Sequence, residues 1–321
     1  MDFSLYPVQS MAMTTRATRI LYGGAVAGGK SHLIRVSSIF YSLAIPNLQT
    51  FLFRKTYPEL IDNHLSGASS YHFMLQEYID QGYCSINMSR MEIHFNNGSC
   101  IHLRHCSNVN DKWKYSGSEM GYLIIDEAAN FEPEIIQFLE SRVRIGGLDI
   151  PPKFKGMFPR QLLTTNPIGI GAWYLKKNYV DCMPEKTIME DKIYIPARLR
   201  DNKVLLKNDP GYEKRLDNLG SPELVKALKE GSWDIQFGAY FAGSFERKHC
   251  VIPPFEIPIG WKVKRCLDWG MSAPFSVLWI AESNGENVLC KDGATRNYPR
   301  GSKIVICEYY GDDGNEKGLG L

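Results

Sequence analysis

Short apolar runs alternate with stretches of helical spacing over the first two thirds of the chain. "ATRILYGG" (residues 17–24) reads as a buried strand. "SHLIRVSSIFYSLAI" follows, with Leu33, Ile34, Ser37, Ile39, Phe40 and Leu43 at roughly helical intervals. "TFLFRK" is a second strand, ending at Arg54 and Lys55 and followed by a helix that a proline starts. Residues 71–82 read as helical. "MEIHFNNGSCIHLRH" alternates apolar and polar about "NNGS", which predicts a hairpin. "GYLIIDEAANFEPEIIQFLESRVR" is an apolar strand, an acidic pair and an amphipathic helix, and "RQLLTTNP" is another buried strand that stops at Asn166-Pro167. Apolar strands separated by helices imply an α/β fold whose mainly parallel sheet is covered by helices.

The pattern then changes twice. Residues 196–255 are polar, charged and helix-rich, and Pro253-Pro254 in "VIPPFEIPIG" marks a boundary. Beyond it, "KVKRCLDWG", "FSVLWIAES" and "KIVICEYY" are three strand-like runs joined by polar loops. They predict an antiparallel meander opening a second α/β domain. The expected organisation is 1–195, 196–255 and 256–321, in keeping with the about two domains that 321 residues suggest.

Composition adds mainly exclusions. The net charge of +2 comes with no basic tail or basic half, so contacts with nucleic acid would have to come from local patches. The eight cysteines form no C-x-x-C pair, which argues against a zinc ribbon or dithiol motif and for reduced thiols of a cytosolic protein. No apolar run approaches the ~18 residues of a membrane span, and no signal peptide is expected.

The chemistry begins at the first strand–helix junction. Gly24, Gly29, Lys30 and Ser31 meet the pattern G-x-x-x-x-G-K-[ST], with Ala25, Val26, Ala27 and Gly28 between them. Glycines let backbone N–H groups turn toward phosphate oxygens, and Lys30 adds charge at the β- and γ-phosphates. Ser31 offers a hydroxyl to Mg²⁺, and the helix that follows points its first N–H groups at the anion. Asp126 and Glu127 end an apolar strand, where open α/β sheets bind ligands. There Asp126 would hold Mg²⁺ through water and Glu127 would polarise the attacking water. A carboxylate pair capping the next helix is the alternative.

Other positions are open on residue type alone. Thr164, Thr165 and Asn166 could hydrogen-bond a γ-phosphate or the water, or simply form a turn before Pro167. Gln9 has an amide suited to adenine, or is an ordinary surface residue. Arg142 and Arg144 are either arginine-finger candidates, in cis or in trans, or exposed residues at a helix end. Asp268, ending a strand before Trp-Gly, is a candidate ligand for a catalytic divalent metal (Mg²⁺ or Mn²⁺). Glu308 is either a second such ligand or an outward-facing residue on an alternating strand.

Taken together, these segments resemble the large terminase subunit of tailed bacteriophages, the ATP-driven DNA-packaging motor. "YPVQ" resembles the family's adenine-contacting motif, "GGAVAGGKS" its Walker A loop and "YSGSEMGYLIIDEAANF" its segment leading through Walker B. "ESRVR" and "LLTTNPIGIGAWYLKK" are similar to the arginine-bearing helix and the coupling motif. Residues 201–241 resemble the linker that closes over the ATPase site, and "KRCLDWGMSAPFSVLWIAES" the opening strands of an RNase-H-like nuclease domain.

The resemblance implies a P-loop NTPase fold, a small helical linker subdomain and the first part of a nuclease. It implies ATP and Mg²⁺ as cofactors, and double-stranded DNA, a small terminase subunit and a procapsid portal protein as partners. A ring homo-oligomer would act in the host cytoplasm at the portal vertex, with no membrane involved. The loop at 24–31 lacks the arginine some members carry, so a finger must come from elsewhere. The sequence ends before later nuclease strands, so little cleavage is expected of this chain. The rival reading is a nucleotide-dependent switch or scaffold that binds a partner without translocating.

Overall fold

The computed structural model describes residues 3–219, 221–234, 250–269 and 275–311. The chain divides into two compact units, Met1–Ala239 and Tyr240–Leu321. Residues 235–249 of the expected 196–255 segment, and residues 270–274 and 312–321 of the second unit, lie outside the described residues.

The first unit is built on a nine-stranded sheet. Its strands are β1 (Arg19–Gly24), β2 (Gln49–Arg54), β3 (Cys84–Asn87), β4 (Glu92–Phe95), β5 (Cys100–His105), β6 (Tyr122–Asp126), β7 (Arg160–Thr165), β8 (Ile188–Met189) and β9 (Lys192–Ala197). Their order across the sheet is β3-β4-β5-β2-β6-β7-β1-β9-β8. The run from β5 to β9 is parallel, and the strands beyond it at each edge pair antiparallel. The predicted hairpin about "NNGS" is the β4–β5 pair.

Every residue of β6 and of β7 is buried. Strands covered on both faces need no alternation, which accounts for the apolar runs Tyr122–Ile125 and Leu162–Leu163, while the buried Asp126, Arg160, Thr164 and Thr165 beside them have hydrogen-bond partners. One core layer centres on Ile20, Leu33, Ile34, Leu52, Ile124 and Leu162, and the other on Leu21, Phe53, Leu123, Ile125, Phe131 and Leu163. Successive strand residues alternate between these layers, as the two-residue repeat of a strand requires.

Helix α1 (Pro7–Thr14) is tied down at its C-terminal end by Arg160. That guanidinium is wholly buried and donates to the carbonyls of Ala12, Met13, Thr15 and Ala17. A cation set against the unsatisfied carbonyls of a helix end is favoured by the helix dipole. Helix α2 (Lys30–Ala44) follows β1 directly, which is the strand–loop–helix context the Gly-Lys-Ser pattern requires.

Residues 198–234 are helical and cluster with the first unit. Leu199 and Leu216, with Leu205, Leu206 and Tyr212 beside them, pack around Ala25, Val26 and Ala27. Trp233 joins the core and donates its indole N–H to the Tyr194 hydroxyl at 2.9 Å.

In the second unit, β10 (Lys262–Asp268), β11 (Phe275–Glu282) and β14 (Lys303–Gly311) form an antiparallel sheet in the order β10-β11-β14. This is the meander predicted from the three runs. A two-stranded ribbon, β12 (Asn287–Leu289) with β13 (Thr295–Asn297), interrupts it. A small core of Trp261, Ala281, Val288 and Cys290 holds the ribbon to the sheet. Every residue of β10 is exposed.

Candidate nucleotide site

The ends of β1, β6 and β7 lie side by side, because each pairs in parallel with the next: Asp126 is opposite Thr164, and Thr164 is opposite Tyr22. The loop 24–29 leaves β1 at this edge and turns into α2 through Gly29, whose φ of 75° lies in the left-handed region. A Cβ at Gly29 would lie 2.4 Å from the Gln9 amide nitrogen. A side chain there is disfavoured by conformation and would displace the Gln9 amide from the Gly29 carbonyl. The cleft of about 280 Å³ above the loop is lined by Gly28, Lys30, Ser31, Glu127, Asn166 and Asn202, among others.

Lys30 is almost fully buried. Its ammonium donates to the Ala25 carbonyl at 2.8 Å and to the side-chain oxygen of Asn166. Burial lowers its pKa, and the charges of Glu127 and Asp126 oppose that shift. The Ser31 hydroxyl, at the second residue of α2, has no hydrogen-bond partner among the described residues. It is thus free to ligate a cation.

Asp126 is held from four directions. Arg54 Nε donates to it at 2.8 Å and His64 Nε2 at 3.0 Å, both to Oδ2, while the Thr164 hydroxyl (2.7 Å) and the Glu127 N–H (3.1 Å) reach Oδ1. Burial pushes this carboxyl up. The hydrogen bond and charge of His64, the charge of Arg54 and the Thr164 bond outweigh that push and hold it well below the usual carboxylate range. A carboxylate so fully engaged does not fit direct metal ligation, but it does fit contact with a hydrated ion through water.

Glu127 differs from its neighbour. It sits at φ 54°, a left-handed conformation that costs about 1–2 kcal/mol for a residue with a Cβ. That turn swings its carboxylate out of the strand's line and over the cleft. Burial and the adjacent Asp126 charge raise its pKa, against the lowering effect of Lys30 and Arg54. Arg54 Nη2 lies 3.8 Å from it. Two adjacent carboxylates are thus driven apart, one firmly ionised and structural, the other a stronger base.

The remaining candidate residues fall in different places. Asn166 lines the cleft. Thr164 and Thr165 are completely buried beneath it: Thr164 bonds Asp126, while Thr165 accepts from the Ala129 N–H and donates to the Asn166 carbonyl. Gln9 lies under the loop with its amide bonded on both sides, to the Tyr6 N–H (2.8 Å) and the Gly29 carbonyl (2.8 Å). In this conformation it fastens α1 to the loop.

Arg142 and Arg144 flank Val143, which bridges to Met120 at the opposite end of β6, and the extended run from Met120 to Glu127 spans roughly 23 Å. Arg142 donates to the Ser116 carbonyl, and Arg144 lies 3.9 Å from Glu119. The fold does not bring either arginine to the cleft of its own chain.

Asp268 and Glu308 share one face of the second unit's sheet. Asp268 is opposite Ser276, Ser276 is opposite Tyr310, and Glu308 is two residues before Tyr310. One strand lies between them, which places their Cα atoms roughly 12 Å apart.

Three participants went unassigned in the sequence. Arg54 had a visible signal, a cation ending a buried strand beside the one that ends in Asp126. His64 had none, because it comes from a turn of π-helix (Ile61–Leu65) that no periodicity marks. Asn202, whose amide donates to the Ala27 carbonyl at 2.7 Å, comes from the segment after β9.

Comparison with known proteins places this arrangement. Residues 15–220 match the family model for the phage terminase large subunit. The large terminase of a thermophilic bacteriophage, in complex with ADP, aligns at a TM-score of 0.55 and 15% identity, covering 98% of this chain and 71% of that one. The same phage's enzyme in complex with ATP-γ-S gives 0.54 and 15%, with 98% and 70% covered. The large terminase ATPase domain of Thermus phage P74-26 gives 0.50 and 13%, with 72% of this chain and 94% of that one covered. No curated protein matches. At these identities the solved structures speak for the fold, while the family model spans well over half the chain: the chain belongs to the phage terminase large subunit family.

Proposed function

We propose that this chain is the ATP-hydrolysing motor that drives double-stranded viral DNA into a procapsid. The observation that carries the reading is the single cleft shared by the Lys30 ammonium, the free Ser31 hydroxyl and the raised carboxylate of Glu127. A module that only binds nucleotide as a switch does not need a water-activating base there. Terminase structures of the same fold in complex with ADP and with ATP-γ-S support a nucleotide as the ligand.

In this reading the N–H groups of the loop and of the start of α2 hold the phosphates, and Lys30 exchanges Asn166 for the γ-phosphate. Glu127 accepts the proton of the attacking water at its carboxylate. Ser31 would hold Mg²⁺ directly and Asp126 would hold it through water; when bound, the ion neutralises charge on the phosphate oxygens. Asn166 is placed to report the γ-phosphate to β7. Arg142 or Arg144 would serve the cleft of a neighbouring subunit in a ring, since neither reaches its own. DNA tracking would be sequence-independent and salt-sensitive, with a small terminase subunit and a portal protein as partners in the host cytoplasm. The second unit would contribute Asp268 and Glu308 to a divalent-metal nuclease centre.

The test is ATP turnover with and without duplex DNA. Turnover that DNA accelerates, is lost in Lys30→Ala and is blocked in Glu127→Gln with nucleotide binding retained supports the motor. A Glu127→Gln variant hydrolysing ATP at the parent rate, or turnover indifferent to DNA in the presence of portal, refutes it in favour of a switch.

A further inference from the structure

The phosphate loop is held from outside at three consecutive peptide groups. The Ala27 carbonyl accepts from the Asn202 amide at 2.7 Å, the Gly28 carbonyl from the Tyr22 hydroxyl at 2.8 Å and the Gly29 carbonyl from the Gln9 amide at 2.8 Å. The donors come from three separate parts of the fold: the segment after β9, β1 itself and α1. Tyr22 and Gln9 are buried, so their reach is fixed by packing.

A trans peptide is planar and sets its C=O and N–H on opposite sides. None of these three bonds is cis. Fixing the carbonyls of Ala27, Gly28 and Gly29 against their donors therefore turns the N–H groups of Gly28, Gly29 and Lys30 the other way. Those three residues line the cleft, and none of the three N–H groups has a partner among the described residues. Successive N–H groups left open in this manner form a nest for an anion. The backbone agrees, with Ala27 at φ 55° and Gly29 at φ 75° on either side of Gly28. For Ala27, which carries a Cβ, that left-handed conformation is disfavoured and has to be held.

The three anchors are not equal. The Gly29 carbonyl also accepts from the Leu33 N–H at 3.0 Å, as the first acceptor of α2, and would keep its direction without Gln9. The Ala27 and Gly28 carbonyls have no second donor among the described residues. Only Asn202 and Tyr22 keep these two peptides from turning over. Buried N–H groups are costly to leave unpaired, so a freed peptide would turn its N–H away from the cleft toward some other acceptor.

We propose that Asn202 and Tyr22 are positioning residues for phosphate binding, acting through the backbone to aim the Gly28 and Gly29 N–H groups. The inference rests on a nucleotide occupying the cleft and adds which side chains prepare its phosphate donors in advance. Such preorganisation strengthens binding because the ligand does not have to order the loop itself. The phosphate site is then not contained in the Gly-Lys-Ser stretch. It is completed from below by the strand that feeds the loop, and from the side by a residue 175 positions further along the chain.

Two variants isolate the anchors. Tyr22→Phe removes the hydroxyl and keeps the ring in the core. Asn202→Ser loses the reach to Ala27 but keeps an oxygen to cap the helix Lys203–Asn208, where the Asn202 side chain now accepts from the Leu205 N–H at 3.1 Å. Binding of ADP and of inorganic pyrophosphate to the full chain is measured by displacement of a fluorescent ADP analogue. Each variant should weaken both ligands by the same factor, roughly 3–10-fold, the worth of one neutral hydrogen bond. In ATP turnover the loss should fall on KM more than on kcat. Urea unfolding without ligand checks each fold: a purely structural role would lower that stability and leave pyrophosphate affinity where it was. Parent affinity in either folded variant overturns the assignment of that residue. Weaker ADP binding with pyrophosphate unchanged overturns the proposal as well, because the side chain would then serve the base or the ribose. A parent chain that binds neither ligand refutes the nucleotide reading of the cleft, and this inference with it.

Discussion

Removing Arg54 tests whether Asp126 is a structural anion. Arg54 is nearly buried and its Nε sits 2.8 Å from a carboxylate that is only 1% exposed. Deleting one member of such a pair costs about 3–5 kcal/mol, because the charge left behind is uncompensated. Three donors remain on Asp126 after Arg54→Ala, from His64, Thr164 and the Glu127 N–H, so the expected loss is at the low end, about 3 kcal/mol. For a unit of this size that corresponds to a fall in Tm of about 6–12 °C.

The sign of the pH dependence distinguishes this mechanism from lost packing. In the parent protein the folded pKa of Asp126 is depressed, so its contribution is present above the unfolded value near ~3.9 and is lost as pH falls toward the folded pKa. Without Arg54 the folded pKa rises, and protonation relieves the stranded charge. The difference between variant and parent should therefore be largest near pH 8. It should shrink on acidification, by about 1.4 kcal/mol for each unit by which the variant's pKa exceeds the test pH. Urea unfolding followed by circular dichroism between pH 8 and pH 4 measures it. A loss below about 1 kcal/mol, or one that does not vary over that range, would refute the reasoning.

The arginines and the second unit give two further expectations. Arg142→Ala or Arg144→Ala chains mixed with Lys30→Ala chains should recover DNA-stimulated ATP turnover beyond the average of the two, because a neighbour's arginine would complete an intact cleft. Mixtures that only average assign these residues a structural role. Plasmid nicking in excess Mn²⁺ should be weak for this chain and unchanged in Asp268→Ala. Two carboxylates, Asp268 and Glu308, are fewer ligands than a pair of ions about 3.5–4 Å apart requires, so strong cleavage lost in the variant would contradict that expectation.

The nucleotide cleft was legible where chemistry is contiguous in sequence. A strand, a glycine loop and a helix follow one another from 19 to 44, and the switch from apolar run to helical spacing marks the turn that holds Lys30 and Ser31. The same holds for Asp126 and Glu127, although nothing in the order of two acids shows that one is buried and the other faces the cleft. That difference arises from the left-handed backbone at Glu127 and from Arg54 and His64, which come from 72 and 62 residues upstream. Thr164 and Thr165 look like cleft residues by type. Parallel pairing on both sides of β7 encloses them, however, and only Asn166, past the strand's end, emerges. The side-chain pairs across the β4–β5 hairpin were hidden differently. The hairpin was evident, but the pairing of Glu92 with His102 depends on register, which alternation alone does not number.

The seating of residues 226–231 on the phosphate loop has a mechanical consequence. The Val26 N–H donates to the Leu228 carbonyl at 2.7 Å, and Gly231, at φ 72°, packs so closely that a Cβ there would lie 2.5 Å from the Ala25 nitrogen. The Asn202 amide, from the start of the same helical region, grips the Ala27 carbonyl. Any ligand that reshapes the loop must therefore do work on this segment. By thermodynamic reciprocity, a pull on the segment changes the loop's affinity for that ligand by the same factor. In a packaging machine this linkage is a strain gauge: load felt beyond residue 231 would be read at the phosphates as a change in grip, with no separate sensor required.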